Sequence, residues 1–318
     1  MTSLHEPPIF AALKDARRVL VAGAGGGFDV YAGLPLAFAL MGLGKSVHLA
    51  NLSFSALDLI DADAWYEPNL AAITPATRGH DGYFPERTLA RWLAAQGMDA
   101  TVHAFPRTGV RPLRDAYRNL IRRLGIDAIV LVDGGTDILM RGDEAGVGTP
   151  EEDMTSLAAV AGVDVPIRLV ACVGFGVDAY HGVCHAHVLE NLAALDRDGA
   201  YLGALTIPST SREALLYVDA VAHAQRHTPM RPSIVNGQIA AAVRGEFGDV
   251  RFTDRTRGSE LFVNPLMAMY FTVDLAGLAR RLLYLDRLAD TDTQDEVRAV
   301  IEWFRRGVRR RERRSIPH

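Results

Sequence analysis

The sequence predicts a doubly wound α/β fold with a mostly parallel sheet and helices on both of its faces. Two observations support this. Short apolar runs alternate with amphipathic segments over the first 228 residues, and several of the runs end in glycine or aspartate. This alternation is typical of parallel sheets, in which each helix returns the chain so that the next strand runs in the same direction. Its spacing predicts about six strands in a Rossmann-like arrangement.

The first strand–helix–strand unit is predicted between Arg18 and Ser55. The apolar run Val19 to Ala22 stops at a glycine-rich turn, an Ala/Leu-rich stretch follows, and Ser46 to Ala50 is apolar again. Glycines allow positive φ angles and let a ligand approach the amides at a helix start. We therefore expect a ligand site here. Its predicted binding residues are Gly23, Gly25, Gly26, Gly27 and Asn51.

Four more strands and five more helices are predicted in the same way. The strands are Thr101 to Phe105, Asp127 to Val132, Ile167 to Val173 and Tyr201 to Ile207. The helices are Pro85 to Gln96, Leu113 to Leu124, Met154 to Ala161, Val183 to Leu195 and Ser209 to Arg226. Leu57 to Thr74 has no clean period, and we expect a loop with a short helix there.

The strand–helix rhythm changes at Pro229. We expect residues 1–228 to form the Rossmann-like core and residues 229–318 to form a helical C-terminal extension packed on it. The extension is not expected to be an independent domain, because no Pro/Ser-rich linker precedes it.

Composition limits the class of protein. With 49% apolar residues and a net charge of −4 over 318 residues, the chain has enough apolar side chains for a large core and no overall basic charge to attract nucleic acid. The two cysteines are too few for a disulfide framework and fit a cytoplasmic protein. No signal peptide or membrane span is expected, and a homo-oligomer is left open. The arginines near the end of the chain are expected to be a solvated helix end rather than a nucleic-acid site.

Three blocks of the sequence resemble an uncharacterised family, the domain of unknown function 1152. They are GAGGGFDVYAGLPLA, DGGTDILMRGDE with GTPEEDM behind it, and GFGVD, and they lie between Gly23 and Asp178. The resemblance implies a Rossmann-like α/β fold. It supplies no reaction, so function has to be argued from the site.

A weaker likeness is to the sheets of sirtuins and deoxyhypusine synthase. Gly23-Ala24-Gly25 and Gly33-Leu34-Pro35 are similar to the glycine-alanine-glycine and glycine-aliphatic-proline runs of sirtuins. Leu36 and Phe38 stand where that pattern has an acidic and a basic residue, and the catalytic histidine block and zinc-binding cysteines are missing. The likeness to sirtuins therefore gives a hint about the class of ligand and nothing about the reaction.

The glycine turn only partly matches a dinucleotide-binding fingerprint. Gly23 and Gly25 occupy the first two glycine positions, but Phe28 stands at the third, and Asn51 replaces the acidic residue that usually binds the ribose. A carboxylate at Asp29 would also repel a phosphate at that helix start. Asp29 is thus either a helix cap or a functional carboxylate.

A second constellation follows the most apolar strand. Asp133 and Asp137 are separated by Gly134, Gly135 and Thr136 at the carboxyl end of that strand, where ligands of parallel sheets bind. Carboxylates there can orient ribose hydroxyls, bind an amine, hold Mg²⁺ or act as a general base. Turn formation is the alternative, since Asp and Gly are common in tight loops. For Asp143, Glu144 and Asp153 we expect only turn or capping roles.

A third constellation, Gly174, Gly176, Asp178 and His181, follows the next strand. It should face the same crevice, with His181 as a candidate proton carrier. His181 and His185 have the spacing of helical metal ligands, but no third ligand is visible, so no metal ligands are predicted.

These turns together predict a small-molecule enzyme, a transferase or hydrolase acting on a nucleotide-like or other polar ligand. Asp137 or Asp29 would be the base, while glycine amides would hold an anionic or ribosyl portion. The alternatives are an NAD(P)-dependent oxidoreductase and a non-catalytic ligand-binding or assembly protein. All three depend on the turns meeting at one edge of the sheet.

Overall fold

The fold is a nine-stranded sheet with helices on both faces, seen in a computed structural model that describes residues 5–316. The strands are β1 (Arg18–Gly23), β2 (Ser46–Leu52), β3 (Trp65–Glu67), β4 (Leu70–Ile73), β5 (Val102–Phe105), β6 (Ala128–Asp133), β7 (Ile167–Cys172), β8 (Tyr201–Thr206) and β9 (Met269–Asp274). The helices are α1 (Pro8–Ala12), α2 (Asp29–Ala32), α3 (Leu34–Gly42), α4 (Pro85–Ala95), α5 (Val110–Leu124), α6 (Pro150–Ala161), α7 (His185–Arg197), α8 (Arg212–His227), α9 (Ile234–Val243), α10 (Leu275–Arg281) and α11 (Gln294–Gly307).

The sheet confirms the predicted mostly parallel, doubly wound arrangement. Its strand order is β3-β4-β5-β2-β1-β6-β7-β9-β8. The central strands β5, β2, β1, β6 and β7 are all parallel to one another. All six predicted strands are present, as β1, β2, β5, β6, β7 and β8.

The prediction of a loop with a short helix for Leu57 to Thr74 holds up to Ala64 and is wrong for the rest of the segment. Short 3₁₀ turns occur there, but they are followed by the β3–β4 hairpin, and β4 adds to the sheet antiparallel to β5. Asn69 in the hairpin turn has a φ of 64°, a left-handed conformation that asparagine tolerates better than most residues. β3 and β4 are only three and four residues long, too short for an alternation of apolar and polar residues to be recognised in the sequence.

Residues after 228 take part in the sheet itself. β9 lies between β7 and β8 and is antiparallel to both. The division into 1–228 and 229–318 stays a prediction, but the hydrogen-bonded sheet crosses it. Within the predicted helical extension, residues 275–288 form α10, a non-helical break and a short 3₁₀ turn.

The two faces of the sheet bury separate apolar layers. Side chains alternate along β1, so Leu20 belongs to the apolar layer that contains residues of α5, α6, α7, α10 and α11. Val21 belongs to the opposite layer, which contains residues of α2, α3, α4, α8 and α9. The central strands are buried on both faces, which explains their almost continuous apolar sequences.

Helix ends follow the local sequence. Gly125 ends α5 with a φ of 63°, and its amide bonds the carbonyl of Ile121, a left-handed cap that glycine adopts without strain. At the start of α11, Thr293 and Glu296 form a capping box.

The strand order places a topological switch point between β1 and β6. After β1 the chain forms one side of the sheet with β2 to β5, and it then crosses over to β6 and forms the other side. At such a point the loops after the two neighbouring strands diverge to opposite faces and leave a crevice at their carboxyl ends. The turns after β1 and β6 border that crevice.

Among residues 5–316, no helix combines the length and the hydropathy needed to cross a bilayer. Cys172 and Cys184 are both buried and free of disulfides.

Burial of His103 in β5 gives the fold a pH-dependent stability. The residue is 3% exposed, its Nδ1 has no hydrogen-bond partner, and burial with the nearby charge of His48 lowers its pKa to about 4. The unfolded chain, with a histidine pKa of about 6.5, binds the proton at higher pH than the folded protein does. Stability from the neutral ring is therefore complete above pH ~6.5 and is lost as the pH falls towards 4.

We expect wild type to lose about 2–3 kcal/mol more unfolding free energy than His103→Gln between pH 7.5 and pH 4.5. Urea unfolding at the two pH values measures both losses. Equal losses in the two proteins would contradict the assignment.

Candidate active site

The turn after β1 is closed by a hydrogen bond between one of its glycines and the Asp29 carboxylate. Asp29, the first residue of α2, accepts a hydrogen bond from the Gly25 amide (N···Oδ2 2.7 Å). Gly26 and Gly27 have φ angles of 89° and 62°, which other residues adopt only with strain. The residue as a whole is half-buried, and it lines a cavity at this turn.

Asp133 and Asp137 are held in the turn after β6. Asp133 ends the strand, and its Oδ2 accepts from the Ile138 amide at 3.3 Å. Asp137 accepts from the amide and the hydroxyl of Thr149 at 2.8 and 3.2 Å. Gly148 permits this contact, since a Cβ there would lie 2.1 Å from Asp137 Oδ2.

Asp178 joins the turn after β7 to the turn after β6. Its Oδ2 accepts from the Thr136 amide at 2.7 Å, and both residues are buried. A Cβ at Gly135 would lie 2.6 Å from the same oxygen. Gly135 is thus needed for the close approach of the two turns.

Asp153 is part of the site, although the sequence predicted only a turn or capping role for it. It is the fourth residue of α6, beyond the cap position, and no side chain caps that helix. The residue is 1% exposed, and its Oδ1 has no hydrogen-bond partner. A Cβ on Gly25 would lie 2.7 Å from this oxygen and 2.6 Å from Asp29 Oδ2, so the two carboxylates flank Gly25.

Asp143 and Glu144, expected to be structural, lie in a different network. Glu144 is fully buried and accepts from Asn191 and from two main-chain amides. Arg311 forms ion pairs with both carboxylates. These contacts tie the end of the chain to the turn after β6.

We call the remaining five carboxylates the carboxylate cluster: Asp29, Asp133, Asp137, Asp153 and Asp178. Between residues 5 and 316, no lysine, arginine or histidine forms an ion pair with any of them. Buried carboxylates without a counter-charge resist ionisation. The cluster therefore favours any proton or cation that can enter it.

The pKa values reflect this shortage of positive charge. Burial raises the pKa of Asp29 to about 7, helped by the charges of Asp137 and Glu152 and opposed by hydrogen bonds from the Gly25 and Gly134 amides. Burial, and then the charges of neighbouring cluster members, also raise the pKa values of Asp133, Asp153 and Asp178. Burial raises the pKa of Asp137 as well, although its bonds to Thr149 and the nearby His181 oppose the shift.

A cavity of about 310 Å³ opens beside Asp29. Its lining includes Gly26 and Gly27, the rings of Phe54 and Tyr83, and the side chains of Arg231 and Arg255. A second cavity of about 490 Å³ shares Phe54, Tyr83 and Arg231 with it. The aromatic rings and arginines in these linings suit a ligand with both a flat and an anionic part.

Two of the predicted ligand-binding residues, Asn51 and Gly23, are engaged by other parts of the protein. The Asn51 side chain bonds the Gly27 carbonyl (2.8 Å), Glu86 (2.7 Å) and the Val30 amide (3.3 Å). A Cβ on Gly23 would meet Asn51 and Val30. These contacts give Asn51 and Gly23 a positioning role for the glycine turn.

The glycines after β7 allow the backbone conformation of the turn. Gly174 and Gly176 have φ angles of 90° and 98°, and they pack against Ile239 and His185, respectively. His181 is exposed, yet its charge acts on Asp137. It lies at the edge of the site rather than inside it.

Sequence reasoning missed the two arginines and two aromatic rings of the cavity. Arg231 and Arg255 come from a segment without a recognisable motif, and Phe54 and Tyr83 lie in loops. Asn236 on α9 holds the late segment in place by donating to the Phe28 carbonyl (3.1 Å) and accepting from the Tyr217 hydroxyl (2.9 Å). No local sequence signal indicates this docking.

Comparison with family profiles shows to which protein family the chain belongs. The profile of a family described as protein of unknown function (DUF1152) matches residues 20–305. The chain belongs to this family. The DUF1152 match confirms the resemblance of the three sequence blocks and extends it through β9 into α11. No match was found among curated proteins.

In this DUF1152 protein, Gly135→Ala should lower the unfolding free energy by about 1–3 kcal/mol. The added methyl would displace the Asp178 carboxylate and leave the buried Thr136 amide without its acceptor. Gly42→Ala is the matched control, because Gly42 is in a helix with open space around it. That control should be neutral or up to about 1 kcal/mol more stable. Urea unfolding of both variants checks the expectation, and a Gly135→Ala protein as stable as wild type would contradict it.

Proposed function

We propose that this protein is an enzyme, a transferase or hydrolase, that acts on a nucleotide-like or other polar small molecule at the carboxyl ends of β1 and β6. The supporting observation is that Asp29 belongs both to the carboxylate cluster and to the lining of a cavity with two arginines. The other four cluster members are buried and are not among the residues lining that cavity. Asp29 is therefore the carboxylate that a ligand in the cavity would meet first.

The cavity favours an anionic substrate with an apolar or aromatic portion. Guanidinium groups bind phosphate and carboxylate oxygens through several hydrogen bonds at once, and Arg231 and Arg255 supply two such groups. The Phe54 and Tyr83 rings offer flat surfaces against which a base or sugar ring can pack. The glycine turn lets the ligand approach the main chain closely.

Asp29 would then activate the nucleophile. It can accept a proton from a water or a substrate hydroxyl, or it can hold a cation that lowers the pKa of that water. Asp137, the other predicted base, is 3% exposed and bonded to Thr149, so it would act behind Asp29 as a positioning residue.

Turnover tests the proposal. Purified protein is incubated with a panel of nucleotides, sugar phosphates and NAD, and products are identified by mass spectrometry. On the substrate that reacts, Asp29→Asn should lower kcat by about 10²–10⁴-fold while the circular dichroism spectrum stays unchanged. Unchanged kcat in Asp29→Asn, or no reaction anywhere in the panel, would contradict the proposal.

The arginines should affect binding. Arg231→Ala should raise KM by about 10-fold or more with a smaller change in kcat, because a charged contact to the substrate is lost. Arg257→Ala is the matched control. Arg257 lies in the same late segment and pairs with Asp254 on the surface outside the cavity lining. Equal KM values for Arg231→Ala and the control would remove the arginine from the substrate site.

A further inference from the structure

Three members of the carboxylate cluster surround one small space. Asp29, Asp133 and Asp153 each place a carboxylate oxygen within 4.8 Å of the others. Around a six-coordinate Mg²⁺ with oxygen ligands at about 2.1 Å, ligand oxygens are roughly 3 to 4.2 Å apart. The three oxygens are thus close to the separation that one shared cation requires.

A second observation points to a ligand in this space. Asp153 Oδ1 is buried in a residue that is 1% exposed, and it has no hydrogen-bond partner. Buried carboxylate oxygens nearly always have a partner, because leaving one unpaired is costly. A cation between the three carboxylates would supply the partner that the protein does not.

Gly25 keeps this space open. A Cβ at Gly25 would lie 2.6 Å from Asp29 Oδ2 and 2.7 Å from Asp153 Oδ1. Its φ lies outside the left-handed region that favours glycine, unlike those of Gly26 and Gly27. Space beside the carboxylates, rather than backbone conformation, therefore accounts for glycine at this position.

The donor set indicates the kind of cation. All three ligands are carboxylate oxygens, which suit hard divalent cations such as Mg²⁺ and Mn²⁺. Within the described part of the chain, no cysteine or histidine joins this group of ligands, as a zinc site would favour.

We propose that Asp29, Asp133 and Asp153 bind one divalent cation of the Mg²⁺ or Mn²⁺ type. The use of that cation in catalysis rests on the proposed function, whereas its binding does not. In their ionised form, the carboxylates of the cluster would repel an anionic substrate in the adjacent cavity. A divalent charge between three of them would reduce that repulsion at the point where Asp29 faces the ligand.

Binding of Mn²⁺ alone tests the site. Full-length protein is stripped with a chelator and titrated with Mn²⁺, and free Mn²⁺ is followed by electron paramagnetic resonance. Wild type should bind one ion, and Asp153→Asn should weaken binding by about 30-fold or more. Gly25→Ala should weaken it as well, because the methyl occupies the space beside both carboxylates.

Asp178→Asn is the matched control. It is a buried member of the same cluster, but it lies outside the group of three and bonds Thr136 instead. Its affinity for Mn²⁺ should stay within about fivefold of wild type. An equal loss in Asp178→Asn and Asp153→Asn would show diffuse attraction rather than a defined site and would overturn the proposal.

Thermal unfolding gives a second readout. Mn²⁺ should raise the Tm of wild type and leave that of Asp153→Asn unchanged, because the ion stabilises only the state that binds it. Absence of Mn²⁺ binding to wild type would overturn the cation site while leaving the proposed reaction standing. Mn²⁺ binding without turnover in the substrate panel would support the cation site and contradict the proposed reaction.

Discussion

The rest of the site depends on five aspartates that lie without a counter-charge at the switch point between β1 and β6. They come from the segments after β1, β6 and β7 and from α6, and in the described part of the chain no basic side chain forms an ion pair with them. Like charges in a buried environment raise one another's pKa values and disfavour the folded state unless protons or cations enter. Such a group costs stability, and the proposed function gives a reason for it.

Glycines make this arrangement sterically possible. Gly25, Gly135 and Gly148 each lie where a Cβ would come within 2.7 Å of a cluster carboxylate oxygen. The sequence predicted that Gly25 and Gly135, but not Gly148, help to bind a ligand. The structure adds another reason for them, which is that carboxylates pack directly against their Cα atoms.

Most of the fold could be predicted from the sequence, because strands buried on both faces are continuous apolar runs ending in glycine or aspartate. β3 and β4 were missed because strands of three or four residues are too short to show an alternating pattern, and β9 was missed because it follows irregular segments.

The sequence also predicted part of the candidate site. Asp29, Asp133, Asp137 and Asp178 were found from their position after the ends of predicted strands. Asp153 was not, because an aspartate near a helix start usually caps it. Arg231 and Arg255 were missed since only the docking of α9 on Phe28 brings them to the glycine turn.

The position of β9 has a consequence for biosynthesis. Among the described strands, β8 pairs with β9 alone, and β9 also covers the edge of β7. During translation both edges stay open until the ribosome has passed residue 274, about 70 residues after β8 is made. Open edges invite pairing with other chains. The nascent protein therefore keeps two open sheet edges until β9 is made, although the carboxylates and the residues that line the cavity have been made by then.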